Sequence, residues 1–185
     1  MASSEVLPVF KYHPAPLATG AVKADADTPC LGCNRIRGYI YTGPVYTERN
    51  FILDDHLCPW CIADGTAAQK FGATFNDTGA TDGIPDAVRT EVEARTPGFE
   101  AWQQALWLAC CGDAAAFQGV AGAEELKRDF PKALPVVKRY LRQELDLSRE
   151  DAEEILEELS KDGEPSAYIF QCLHCTKHLA YVDQG

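Results

Sequence analysis

The second half of the chain has apolar residues at helical spacing. Helical periodicity covers four segments: 86–94, 99–117, 136–145 and 149–159. In the longest of them, one face carries the residues Phe99, Trp102, Leu106, Cys110, Asp113 and Phe117. Ser148, followed three residues later by Asp151, resembles a capping box at the start of the last helix. The pattern therefore predicts a helical region over about 86–160.

The two ends of the chain have strand-like patterns instead. Residues 38–42 predict a strand, Gly43 and Pro44 predict a turn, and residues 45–47 predict a returning strand. Near the other end, strand-like runs at 167–170 and 179–182 predict a hairpin over about 166–183. Strands at both ends of a helical centre indicate an α+β fold.

Composition indicates a folded protein without a membrane span. Hydrophobic residues make up 46% of the 185 residues, which is enough apolar material for a core. No run approaches the roughly 18 apolar residues of a membrane helix. The first residues also lack a basic segment followed by an apolar run, so we expect no signal peptide and a cytoplasmic location.

The net charge disfavours nucleic acid as a main partner. The chain carries 28 acidic and 17 basic residues, for a formal charge of −11. Phosphate-binding proteins usually show a basic patch, although such a patch can be hidden within an acidic total. The longest acidic run, 150–158, is typical of a solvated helix face.

Eight cysteines carry the candidate chemistry. Six form CxxC pairs, Cys30/Cys33, Cys58/Cys61 and Cys172/Cys175, and the other two, Cys110 and Cys111, are adjacent. In a reducing compartment these are thiols, and such spacing indicates metal binding before redox chemistry.

The first two pairs predict one zinc site. They are separated by 24 residues, 34 through 57, which a β-hairpin can absorb. Two CxxC turns supply the four thiolates that tetrahedral zinc requires. The alternative is a redox dithiol at Cys58 and Cys61, but redox pairs usually open a helix within a thioredoxin-type α/β pattern. We therefore expect a zinc-ribbon-like unit over about 28–66, within a single domain spanning 1–185.

The third pair lacks a fourth CxxC to complete a site. The residues that can join Cys172 and Cys175 are Cys110, Cys111, Asp113, His174 and His178. On a helix, Cys110 and Cys111 would point about 100° apart and would not readily bind one ion together. Alternatively, the helix cysteines are inert core residues and the CxxC is only a hairpin turn.

Asp113 is a weak candidate for a catalytic residue. A carboxylate on an apolar face needs a partner, either a metal or a hydrogen-bonding group. The structural alternative is a capped, hydrogen-bonded acid. GxSxG, HExxH, P-loop and GxGxxG motifs are all absent from the sequence.

A family resemblance is carried by the strings at 10–14, 19–20, 37–39, 41–46, 58–65, 112–117 and 168–175. From Phe10 to Asp183 the chain resembles the CbrC family, also called the colicin E2 tolerance family. It implies a stress-related tolerance phenotype, but no known reaction. It also implies a Cys at position 111, which favours Cys111 as the third ligand of the second site. Cys110 stands where the family often has His, and Thr176 stands where a Gly commonly follows the knuckle.

Two hypotheses of function follow. The first is a zinc-stabilised module that binds an unknown protein or small molecule, with one zinc site and a second one possible in the same chain. The second is an enzyme whose metal or thiol site combines Cys110, Cys111 and Asp113 with the Cys172/Cys175 knuckle. Closed zinc sites with four cysteine ligands are mostly structural, which favours the first hypothesis and argues against enzymatic activity. We expect neither nucleic-acid binding nor membrane insertion.

Overall fold

A computed structural model describes residues 5–48 and 51–184. The chain divides into two compact units: the first comprises Met1–Glu100 and Ala105–Trp107, and the second Ala101–Gln104 and Leu108–Gly185. The elements, in order, are β1 (Val22–Ala24), β2 (Tyr39–Tyr41), α1 (Pro59–Ala63), α2 (Thr66–Phe71), α3 (Asp86–Arg95), β3 (Ala109–Cys110), β4 (Asp113–Ala114), β5 (Ala116–Ala121), α4 (Ala123–Arg128), α5 (Leu134–Gln143), α6 (Arg149–Glu158), β6 (Ser166–Gln171) and β7 (His178–Asp183). The predicted α+β class is confirmed, and the prediction of a single domain stays a prediction.

The small sheet of the first unit pairs β1 with β2 in antiparallel register, Val22 opposite Tyr41. The strand predicted at 45–47 is therefore wrong as the partner of β2, which pairs with a strand earlier in the chain. Tyr46 forms only an isolated bridge, to Thr74. The loop between β1 and β2 contains the first CxxC, and the second CxxC starts just after Leu57, which bridges to Tyr41.

The first unit has a core that surrounds its cysteines. Leu57, Ile62 and Phe75 are fully buried, and Cys30, Cys58 and Cys61 belong to the same cluster of side chains. Each large apolar side chain buried in this way contributes roughly 1.5–3 kcal/mol to folding. Packing of the core and convergence of the thiols are therefore coupled.

The second unit is an antiparallel sheet, ordered β5-β6-β7, with helices packed on it. Helix α5 buries Val137 and Leu141, which share a core cluster with Ile169 of β6. The predicted cap of α6 is confirmed, since the Asp151 backbone N–H donates to Ser148 Oγ at 3.1 Å. The predicted helices at 86–94, 136–145 and 149–159 and the predicted C-terminal hairpin are confirmed to within a few residues.

The predicted helix at 99–117 is wrong. Residues 99–108 have no regular secondary structure. The rest of the segment contains β3, β4 and the start of β5, with turn or loop residues between them. Trp102 and Leu106, assigned to its apolar face, are 52% and 36% exposed. Gly112 adopts a φ of 74°, which no helix contains. The predicted helical centre is thus interrupted by a hairpin. No helix in the described part of the chain is both long and apolar enough to span a bilayer.

Candidate metal centres

The first cluster brings together the sulfurs of Cys30, Cys33, Cys58 and Cys61, all within 4.8 Å of one another. The Cys30–Cys61 separation is 3.7 Å and the Cys33–Cys58 separation is 3.9 Å. A metal held by four thiolates at about 2.3 Å in a tetrahedron has sulfur–sulfur edges of about 3.8 Å. These four residues can therefore hold a metal ion.

The first knuckle is a tight turn closed by backbone hydrogen bonds. The Cys30 N–H donates to the Arg35 carbonyl at 3.0 Å, and the Asn34 N–H donates to the Cys30 carbonyl at 2.7 Å. Asn34 has a φ of 55°, in the left-handed region that Asn tolerates. At Gly32, a Cβ atom would lie 2.8 Å from the Cys61 sulfur, so the close approach of the two knuckles requires glycine there.

The second knuckle is the first turn of a helix. Cys58 is the N-cap of α1 and Pro59 occupies the first turn, where its missing N–H costs nothing. The Cys61 N–H donates to the Cys58 carbonyl at 3.1 Å, which keeps both thiols on the same side. The Cys58 N–H donates to the Cys30 sulfur at 3.2 Å and so joins the two knuckles directly.

Two cations lie beside this cluster. Four thiolates around a divalent ion carry a formal charge of −2, which nearby positive charge offsets. The Arg37 guanidinium lies 4.2 Å from the centre of the Trp60 ring and interacts electrostatically with Cys33 and Cys58. Lys70 Nζ donates to two carbonyls of the first knuckle, at 2.7 and 3.2 Å.

Hydrogen bonding among the thiols separates their pKa values. Hydrogen bonding with the thiols of Cys58 and Cys61 holds the pKa of Cys30 far below its ordinary value. The same hydrogen bonding with Cys30 raises the pKa of Cys58 to about 12 and raises that of Cys61 further. Without a metal the cluster therefore retains protons, and metal binding must release them.

The second cluster contains Cys110, Cys111, Cys172 and Cys175, whose sulfurs also lie within 4.8 Å of one another. The Cys110 sulfur lies 3.6 Å from that of Cys111 and 3.7 Å from that of Cys175. These separations again match the edges of a tetrahedral thiolate site. The second cluster can therefore also hold a metal ion.

The adjacent cysteines converge because they occupy a hairpin turn. Strands β3 and β4 pair Cys110 with Asp113, which leaves Cys111 and Gly112 as a two-residue loop. Their φ values of 57° and 74° are those of a type I′ turn. The expectation that Cys110 and Cys111 diverge assumed a helix and is wrong. The pairing of Ala116 with Gln171 brings this turn beside the third knuckle.

The third knuckle repeats the hydrogen bonding of the first. The Cys172 N–H donates to the Lys177 carbonyl at 2.8 Å, and the Thr176 N–H donates to the Cys172 carbonyl at 3.1 Å. Thr176 has a φ of 58°, which explains why glycine would suit this position. The backbone N–H groups of Cys175 and His174 each donate to the Cys172 sulfur at 3.4 Å and, with further hydrogen bonds, lower its pKa to about 6.

Asp113 and His174 form a contact between the two halves of the second cluster. Asp113 Oδ2 lies 2.9 Å from His174 Nε2, and Asp113 Oδ1 accepts the Ala114 N–H at 2.9 Å. The carboxylate therefore has hydrogen-bonding partners, and a catalytic role for Asp113 stays a prediction. Among the described residues, the group of candidate ligands at the second cluster contains four cysteines and neither His174 nor His178.

The two clusters differ in solvent exposure. Three thiols of the first, Cys30, Cys58 and Cys61, are buried. In the second, only Cys172 is buried, whereas Cys111 is exposed and Cys110 is half-buried. The second cluster is therefore the more accessible to chelators and oxidants.

A family model described as "Uncharacterised protein family (UPF0167)" matches residues 7–184. The chain belongs to the UPF0167 family. It is 47% identical over 179 residues to UPF0167 protein Mb2317 of Mycobacterium bovis, covering 96% of this chain and 93% of that one. It is 42% identical over 171 residues to UPF0167 protein PA1536 of Pseudomonas aeruginosa, covering 91% and 92%. No solved structure matches this UPF0167 chain significantly.

Proposed function

We propose that this UPF0167 protein is a zinc-stabilised binding module with two tetrathiolate sites. The observation that carries the proposal is the agreement of the sulfur–sulfur separations, 3.6–3.9 Å, with the edge of a zinc tetrathiolate. The first site comprises Cys30, Cys33, Cys58 and Cys61, and the second Cys110, Cys111, Cys172 and Cys175.

The ligand set favours zinc. Thiolates are soft ligands, and tetrahedral sites with four sulfurs are typical of zinc and of iron–sulfur centres. Closed sites with four cysteine ligands in small β knuckles are most often structural zinc sites. We place the protein in the cytoplasm, where its thiols stay reduced and available to a metal.

Closed coordination supports binding rather than catalysis. A catalytic zinc keeps one position for water or substrate, whereas four sulfurs fill every position of a tetrahedron. The enzyme alternative at the second cluster is not favoured, because Cys110 and Cys111 together complete its shell and Asp113 faces His174. The partner is a protein or a small molecule.

A role in stress response or colicin tolerance rests on the resemblance to the CbrC family alone. Membership of UPF0167 is compatible with that resemblance. The test is the survival of cells that lack the protein when they are challenged with colicin E2: survival equal to that of the parent cells would contradict this role.

Metal analysis tests the proposal directly. Elemental analysis of the purified chain should give two zinc ions per chain, and X-ray absorption at the zinc edge should show only sulfur neighbours at about 2.3 Å. Cys33→Ser and Cys175→Ser should each reduce the content to one zinc. An oxygen or nitrogen neighbour of zinc that disappears in the Cys175→Ser variant would favour the enzyme alternative. Iron in place of zinc would contradict the metal assignment.

A further inference from the structure

A basic cavity lies between helices α5 and α6 of the second unit. Its volume is about 460 Å³. It is lined by Lys138, Arg139, Arg142, Gln143, Arg149, Ala152 and Glu153. Four of these side chains are basic and one is acidic, although the whole chain has a formal charge of −11. Positive charge is thus concentrated at a concave site on an acidic protein.

The basic side chains of α5 form no salt bridges with other residues of the described fold. Lys138, Arg139 and Arg142 are exposed, and none of them forms a salt bridge with any residue that the structure describes. Arg149 contacts Glu153 at 3.2 Å across one helical turn, a pair of small energetic weight at the surface. The guanidinium and ammonium groups therefore remain available to an external anion.

Helix stability does not explain this arrangement. Lys138 and Arg142 are one turn apart on the same face, where like charges repel each other. A cation in the last turn, such as Arg142, is favourable to the helix dipole, but Arg149 occupies the first position of α6, where a cation is unfavourable. Glu150 and Asp151 already supply the favourable acidic charges of that first turn. An anion in the cavity would offset the repulsion from both helices.

We propose that the cavity binds a small ligand bearing several phosphate groups. Its volume lies within the range of small-molecule sites. Arg139, Arg142 and Arg149 present planar forks that bind phosphate oxygens in pairs, and Lys138 adds a point charge. The overall negative charge repels a long polyanion that extends beyond the cavity, which favours a compact phosphate ligand over nucleic acid.

The test uses the full chain and inorganic tripolyphosphate at physiological salt. Binding is measured by calorimetry, and backbone amide shifts in NMR locate the site. The zinc content is determined afterwards, because polyphosphates can also withdraw metal. The double variant Lys138→Gln/Arg142→Gln should weaken binding of tripolyphosphate about tenfold or more. The reason is that hydrogen bonds to charged groups contribute more to affinity than neutral ones. The double variant Arg128→Gln/Lys161→Gln removes the same charge from other exposed positions of the unit and should change binding less than twofold.

Several outcomes overturn the proposal. Equal weakening in both double variants would show that only bulk charge acts. Amide shifts confined to the cysteine clusters, together with loss of zinc, would show chelation instead of binding in the cavity. Absence of binding, or tighter binding of single-stranded DNA than of tripolyphosphate, would also contradict it. Both variants change exposed side chains, so circular dichroism should show unaltered folding.

Discussion

Replacing Cys58 by Ser should unfold the first unit of the protein. The thiol is 1% exposed and lies in the hydrophobic core, and its backbone N–H donates to the Cys30 sulfur. Structural zinc contributes about 10–16 kcal/mol to folding in small zinc domains. A domain of this size has a net stability of about 5–15 kcal/mol. Loss of the zinc that we propose for this site would therefore remove as much free energy as the whole unit has.

The assay combines zinc analysis with NMR and urea unfolding. The Cys58→Ser chain should retain one zinc, and the amide resonances of the first unit should collapse to the shifts of an unfolded chain. The matched control is Cys111→Ser, which also removes one ligand, but from the exposed side of the second cluster. In that variant the resonances of the first unit should stay dispersed.

Retained folding would refute the reasoning. If Cys58→Ser unfolds cooperatively with a free energy within about 1 kcal/mol of the parent, the site contributes no more than an ordinary side chain does. Collapse of the first unit in the Cys111→Ser control would equally contradict the assignment of each cluster to its own unit.

Three further predictions concern accessibility, pH and packing. A chelator should remove zinc in two phases, with the first phase lost in Cys111→Ser, because the second cluster is the more exposed. Burial lowers the pKa of His13 from 6.5 to about 4, so folding favours the neutral ring. This contribution to the free energy of unfolding should be fully present above pH 6.5 and should fall by about 3 kcal/mol towards pH 4. Urea unfolding of His13→Gln should not show this pH-dependent loss. Phe170→Ala, which removes a buried ring 5.2 Å from that of Phe117, should cost about 3–5 kcal/mol in the same assay.

Local signals account for the parts of the fold that were predictable. Helix α6 has a cap at Ser148 and a regular apolar stripe, and α3 follows Pro85, so both are defined by neighbours in sequence. The hairpin of β6 and β7 has a continuous apolar run on either side of the third knuckle. Such elements need little information from the rest of the chain.

The segment at 99–117 was mispredicted because its apolar spacing fits two structures. Phe117 is three or four residues from other apolar positions, but it is also the second residue of β5 and packs on Phe170 of β6. That pairing joins residues more than fifty positions apart, which no local pattern reveals. A cue was present, since Gly112 lies inside the apolar pattern and lowers its preference for a helix.

The two clusters show that sulfur spacing, not a single motif, determines which cysteines can share a metal. The first and third knuckles use the same backbone turn, whereas Cys58 and Cys61 use the first turn of a helix. Cys110 and Cys111 use a two-residue hairpin turn. Adjacent side chains diverge by about 100° on a helix and point to opposite faces of a strand. A turn with positive φ at Cys111 brings the sulfurs to 3.6 Å, so Cys110 and Cys111 form a fourth half-site without the CxxC spacing of the other three.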